Sequence, residues 1–342
     1  MNIVYWAAAA LFGGLGAFMV FTAGWEFPPM EAEQIGYRGV AMEQVTNPRI
    51  LEKIEARNQV PEVGYQPEPG GPRASEVYEN VQVLGDLSED QFNTLMVNIT
   101  QWVSPDEGCA YCHNEENMAE EGMYTKTVAR RMLQMNAAIN KEWQDHVKDT
   151  GVTCYTCHRG QPVPSEVWFR NSSPVMAGGR LGVETLGQNV AATPVGYTSL
   201  PFDPFSDYLS GTDPIRVIPE HALARPGGAS IQQTEKTYGL MMHFSGSLGV
   251  NCTYCHNSRA FVGWSQSPPA RATAWYGIQM VRDVNGKYIV PLTPVFPANR
   301  LGPHGDVAKV NCATCHQGVN KPLLGAQMLK DYPELNAVKV SD

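Results

Sequence analysis

Every cysteine in the chain belongs to a Cys-x-x-Cys-His group: Cys109, Cys112 and His113 in "CAYCH", Cys154, Cys157 and His158 in "CYTCH", Cys252, Cys255 and His256 in "CTYCH", and Cys312, Cys315 and His316 in "CATCH". Two thiols held one helical turn apart can form thioether bonds to the two vinyl groups of a single porphyrin, and the histidine that follows then lies under the ring as an iron ligand. One isolated match would also suit a zinc knuckle or a thioredoxin-like redox pair. Zinc sites, however, bring Cys-x-x-Cys pairs together in twos and make no demand on the next residue. A histidine after all four second cysteines, with no cysteine left for a disulfide or a lipid anchor, reads as covalent attachment of four haem c groups. Attachment of this kind implies export before maturation, so the folded part is expected outside the cytoplasmic membrane.

Each motif needs an element that carries a sixth ligand over its haem, and each is preceded by a segment of helical periodicity. Residues 88–103, "SEDQFNTLMVNITQWV", put Phe92, Leu95, Met96 and Ile99 on one face and open on a Ser-Glu-Asp start signal. "TKTVARRMLQMNAAINKEWQDHV" leads into the second motif, "ASIQQTEKTYGLMMHFSGSL" into the third and "PARATAWYGIQMVRDV" into the fourth. A thioether sulfur as sixth ligand raises the reduction potential, a second imidazole lowers it, and an open position permits substrate chemistry. Met96 lies 17 residues before His113, Met132 lies 26 before His158 and Met241 lies 15 before His256. Met135 and Met242 compete with them, and methionine as plain core filler is the bland alternative throughout. For the fourth site the matching helix holds Met280, while His146 and His304 lie outside it. His304 sits in "LGPHGD", a turn suited to solvent; spacing alone leaves the choice open.

Residues 3–24, "IVYWAAAALFGGLGAFMVFTAG", carry no charge and are long enough to cross a hydrocarbon core of roughly 30 Å as a helix. The run is longer than a typical signal core and has no basic n-region, and Trp6 and Trp25 suit interfacial anchoring. A retained membrane anchor over residues 1–25 is therefore expected, followed at 26–75 by an irregular Pro-, Gly- and Glu-rich arm. The motifs fall into pairs, with Cys109 and Cys154 45 residues apart and Cys252 and Cys312 60 apart. That spacing divides the rest into a two-haem unit at 76–160, an irregular connector at 161–228, a second two-haem unit at 229–330 and a tail at 331–342. The layout predicts a mainly α fold with long irregular loops, a multihaem cytochrome c of two pseudo-repeated helix–turn–CxxCH units plus one N-terminal transmembrane helix. The 32 glycines and 25 prolines favour loops over sheet, and a net charge of -9 argues against nucleic acid as a partner while suiting a basic protein.

"VARRMLQMNAAIN" followed by "GVTCYTCHRG", "TYGLMM" followed by "SLGVNCTYCHN", and "KVNCATCHQG" closely resemble segments of the tetrahaem cytochrome subunit of purple-bacterial photosynthetic reaction centres, in a match over roughly residues 40–330. The resemblance implies iron ligation by Met96 with His113, Met132 with His158, Met241 with His256, and His146 with His316. It also implies haems in a line, with the third-motif haem nearest the pigment pair and the fourth, second and first following, at alternating potentials. Many members carry an N-terminal lipid-modified cysteine; this chain has no cysteine before Cys109, and its apolar helix would take over the anchoring.

The resemblance implies a redox relay and not an enzyme, anchored in the inner or intracytoplasmic membrane with its haems on the periplasmic side. Electrons would come from a soluble donor, a small c-type cytochrome or a high-potential iron–sulfur protein. They would go to the photo-oxidised bacteriochlorophyll pair of the membrane subunits, with a light-harvesting complex as a further neighbour. A membrane-anchored tetrahaem quinol dehydrogenase of a respiratory chain shares the anchor and the motif count but is usually shorter and mostly His-ligated. A catalytic multihaem reductase would need an open iron site.

Overall fold

The helices that open after Ser88 and Ser230 start on side-chain caps. In the computed structural model, which describes residues 3–22, 29–171, 192–218 and 229–338, the Ser88 hydroxyl accepts from the Gln91 amide at 3.2 Å, and the Gln91 side chain accepts from the Ser88 amide at 3.1 Å. Ser230 and Gln233 repeat the arrangement at 3.1 and 2.9 Å. Such reciprocal pairs satisfy amides that a helix start leaves without a partner. Replacing Ser88 with alanine is expected to cost about 1 kcal/mol, read as a lower denaturant midpoint at unchanged slope; an unmoved midpoint would show the cap to be idle.

The first helix, α1 (Ile3–Thr22), is free of charge, has no buried residue, and is long and apolar enough to cross a membrane. Trp25, residues 172–191 and 219–228 of the connector and 339–342 of the tail lie outside the described residues. The arm is more ordered than expected. Strand β1 (Glu31–Gln34) pairs antiparallel with β2 (Glu43–Thr46), with Glu31 opposite Thr46, and α2 (Pro48–Arg57) follows from an Asn47 cap with Pro48 in its first turn. The arm is held by the motif loops: the Gln44 side chain donates to the Gly249 carbonyl at 3.0 Å and accepts from the Asn251 amide at 2.9 Å, just before Cys252.

A short α3 (Ala74–Val77) precedes α4 (Glu89–Val103), α5 (Tyr124–Glu142), α6 (Gln144–Val147), α7 (Cys154–His158), α8 (Ile231–Leu248), α9 (Ala270–Asp283) and α10 (Cys312–His316). The single long helix expected before the second motif is interrupted at Trp143, so that α6 sets off separately from α5. Helix α9 runs on into a π-helical stretch, Val284–Ile289. Two apolar cores hold these elements. One joins Leu95 and Trp102 of α4, Leu133 and Ala137 of α5, and Tyr332, Leu335 and Val338 near the C-terminus. The other joins Ile139 of α5, Leu240 of α8, Ile278, Met280 and Val281 of α9, and Phe205, Tyr208 and Leu209 of the connector. Segments that read as loop and tail thus complete the cores around the motif-bearing helices.

Candidate haem-binding site

Each motif histidine donates from Nδ1 to a backbone carbonyl: His113 to Met118 at 3.0 Å, His158 to Gln161 at 2.9 Å, His256 to Phe261 at 2.8 Å and His316 to Val319 at 2.9 Å. A carbonyl oxygen can only accept, so Nδ1 carries the proton and Nε2 presents a lone pair. Metal-binding histidines are oriented in this way. His146 follows the same pattern, with Nδ1 donating to the Thr273 carbonyl at 2.9 Å. Burial holds the rings of His146, His158 and His256 below the usual imidazole range, and burial with the neighbouring His146 pushes His316 down to about 4. These rings therefore stay neutral, the form that binds a metal.

The second and fourth motifs fold by one local device. Helix α7 opens with the Thr153 amide donating to Thr156 Oγ1 at 2.9 Å, and α10 with the Asn311 amide donating to Thr314 Oγ1 at 3.0 Å. Both end on a left-handed residue, Arg159 at φ 51° and Gln317 at φ 48°. The next residues, Gly160 and Gly318, donate their amides to Trp102 of α4 and Ser247 of α8, each at 2.8 Å. The valine before each motif is clasped by an asparagine: Val152 by Asn140 at 2.7 and 2.9 Å, and Val310 by Asn285 at 3.0 and 3.0 Å. Replacing Asn140 with alanine leaves both backbone groups of Val152 without that partner. We expect a loss of about 2–4 kcal/mol in chemical denaturation, and a loss under about 1 kcal/mol would contradict the clasp. The first and third motifs instead sit on 3₁₀ turns, Gly108–Tyr111 and Cys252–Tyr254.

A cavity of about 1080 Å³ runs past three of the motifs. That is at or above the upper end of the roughly 300–1,000 Å³ of an ordinary small-molecule site. Its walls include Met96, Cys109, Cys112 and His113, then Met132, Cys154, Cys157 and His158, and finally His146, Cys312, Cys315 and His316. The expected ligands of the first, second and fourth sites are thus brought together. Of the third motif, Tyr254 and Cys255 reach the cavity, whereas Met241 packs against the second core and His256 stacks on Phe261, with ring centroids 4.2 Å apart. The rings of His146 and His316 approach each other with centroids 6.0 Å apart. Two imidazoles binding opposite sides of one metal ion, at about 2 Å per metal–nitrogen bond, need close to this separation. The residues therefore fit an iron between them.

The thiols also fit. Burial pushes Cys154 and Cys312 up to about 12 and Cys255 up to about 11. A redox-active Cys-x-x-Cys pair or a zinc thiolate works from a lowered pKa, whereas an uncharged thioether is at home in apolar surroundings. One pairing departs from the sequence expectation that no cysteine forms a disulfide: Cys157 and Cys315 are joined, with Cα atoms 4.5 Å apart. The cause is adjacency, because α7 and α10 pack against each other. Each of these sulfurs can form the disulfide or a thioether, not both.

Several residues of the site are not apparent from the motifs. Arg159 donates to the carbonyls of Thr156 and Arg57 at 3.0 Å each and to Asn58 Oδ1 at 3.1 Å, tying the arm to α7, and burial lowers its pKa to about 10. Nothing in the sequence marks it beyond its place after a motif. For Asn140, Asn285 and Gly277 a signal does exist: "LQMNAAIN" (133–140) aligns with "IQMVRDVN" (278–285). In that register Asn140 matches Asn285, Met135 matches Met280, and Met132 matches Gly277.

Oriented imidazoles beside Cys-x-x-Cys pairs in a mainly helical chain define a c-type cytochrome, a protein with covalently bound haem. A sequence model of the family described as photosynthetic reaction centre cytochrome C subunit matches residues 26–336. The photosynthetic reaction center cytochrome c subunit of Rubrivivax gelatinosus is 54% identical over 316 residues, which is 92% of this chain and 85% of that one. Its counterpart in Thermochromatium tepidum is 52% identical over 322 residues (94% and 79%), and that of Roseobacter denitrificans 47% identical over 292 residues (80% and 76%). The chain belongs to the photosynthetic reaction centre cytochrome c subunit family.

Proposed function

We propose that this chain is the electron-relay subunit of a photosynthetic reaction centre, holding four haem c groups between a soluble periplasmic donor and the photo-oxidised bacteriochlorophyll pair of the membrane subunits. The orientation of five imidazoles carries the reading: His113, His146, His158, His256 and His316 each commit Nδ1 to a carbonyl, leaving one nitrogen for iron. Bound haem supplies a one-electron iron couple, whose potential the axial ligands set.

In this reading His113, His158, His256 and His316 are the proximal ligands, and the paired cysteines Cys109 and Cys112, Cys154 and Cys157, Cys252 and Cys255, and Cys312 and Cys315 hold the porphyrins. Met96, Met132 and Met241 complete the first three sites and His146 the fourth, so the fourth is a low-potential member among higher ones. Met96 and Met132 share cavity walls with their motifs. Met241 stands six residues before Ser247, the carbonyl that receives Gly318, as Met96 stands six before Trp102, the carbonyl that receives Gly160. The same correspondence supports two pseudo-repeated units at 76–160 and 229–330, set between an anchor at 1–25, an arm at 26–75, a connector at 161–228 and a tail at 331–342.

The closeness of Cys157 and Cys315 supports an order with the fourth and second sites inside and the third and first at the ends. Exposed Phe261, Val262 and Trp264 follow the third motif and suit apolar contact with membrane subunits. The net charge of -9 suits a basic donor, steered at salt-dependent rates; an iron–sulfur donor would need an apolar patch instead. Helix α1 anchors the chain, and the export that haem attachment requires puts the sites on the periplasmic side.

Mildly solubilised membranes are expected to yield the chain together with bacteriochlorophyll-bearing subunits; consistent separation from pigment would overturn the assignment. Fast carbon monoxide binding by the reduced protein would reveal an open iron site and defeat the pure relay.

A further inference from the structure

We propose that Gly277 is a positioning residue that decides which side chain reaches the fourth iron: having no side chain, it admits His146 where a methionine would otherwise stand. The inference rests on the assignment of His146 and His316 to that iron.

His146 arrives from α6 and lies against α9, where its Nδ1 donates to the Thr273 carbonyl, one turn before Gly277. A Cβ built on Gly277 would lie 2.5 Å from the imidazole Cε1, 2.8 Å from Nδ1 and 3.1 Å from Nε2. These are overlaps with the body of the ring, not with the end of a flexible chain, so even alanine must displace it. Retreat is limited, because the Thr273 hydrogen bond fixes one edge and His316 stands 6.0 Å away between ring centroids. Glycine is also a poor helix residue, and its place inside α9 calls for a packing reason.

The register of the two helices says what would otherwise stand there. Aligning 133–140 with 278–285 is supported by structure as well as sequence, since Asn140 and Asn285 make the same pair of hydrogen bonds to the valine before their motifs. In that register Gly277 occupies the place of Met132, the sixth ligand proposed for the second site. The helix position that offers a sulfur at one site is bare at the other, and an imidazole from a different helix uses the space. Position 277 thereby selects between the ligand that raises a haem potential and the one that lowers it.

The test compares Gly277→Ala, Gly277→Met and His146→Ala in the holoprotein. The readouts are low-spin ferric electron paramagnetic resonance, the far-red charge-transfer band of methionine-ligated ferric haem, and a redox titration. Gly277→Ala is expected to remove or shift the bis-imidazole signal of one haem and leave the other three as they were. Gly277→Met is expected to replace that signal with a fourth methionine–histidine signal and raise the midpoint of that haem alone. If His146→Ala leaves the bis-imidazole signal in place, the ligand assignment fails and the proposal falls with it. If His146→Ala removes the signal but both Gly277 variants keep it, the assignment stands and the role of Gly277 is overturned. Should Gly277→Met not accumulate, Gly277→Ala decides the matter, being the smaller change and the better helix former.

Discussion

Replacing His146 with alanine is expected to abolish the bis-imidazole signature of the haem held by Cys312 and Cys315 and to leave the haem held by Cys154 and Cys157 unchanged. In sequence His146 is the neighbour of the second motif, twelve residues before His158 and 170 before His316. Its ring nonetheless turns toward the fourth, with Nδ1 on Thr273 of α9 and its centroid 6.0 Å from that of His316. The interruption at Trp143 allows this, since α6 sets off separately from α5. Under the proposed ligation, loss of the imidazole would remove a strong donor from iron, and the midpoint of that haem is expected to rise by on the order of 100 mV, a modest part of the roughly 0.8 V that axial ligands span. A spectral change confined to the His158 haem would contradict the assignment.

The second large effect follows removal of Cys154 and Cys157 together. Such a chain is expected to carry one haem fewer, read directly as a lower intact mass. The loss does not stay local, because the cavity of about 1080 Å³ is walled by residues of the first, second and fourth motifs. Without its haem the second site leaves apolar walls with nothing to pack against. A stability loss of at least about 5 kcal/mol is expected, the upper end of single large-to-small changes in a core. Midpoints of the first and fourth haems are expected to move as well. An unchanged mass would remove the second motif from the haem count, and unmoved neighbours would separate the cavity into independent sites.

The motifs, the helices leading into them and the helix start at Ser88 were legible in the sequence because each is a local pattern: a fixed spacing, a 3.6-residue period, a Ser-Glu-Asp run. The hairpin of the arm was not, since β1 is exposed along its whole length and shows no alternation of apolar and polar residues. The break at Trp143 carries no glycine or proline; its indole donates to Asp283 at 3.4 Å, 140 residues away, so a tertiary contact holds it. Loop and tail residues such as Leu209 and Leu335, each 0% exposed, could not be read as core from a composition of turns. At the fourth site the matching helix offers Met280, which registers with Met135. Gly277, in register with Met132, gives no ligand signal of its own in the sequence because it offers space and no side chain.

In membranes freed of soluble donor and poised with the haems reduced, a saturating flash is expected to oxidise one haem of this chain for each pigment pair re-reduced, with matching kinetics. Re-reduction of the pigment while every haem of the chain stays reduced would contradict the relay.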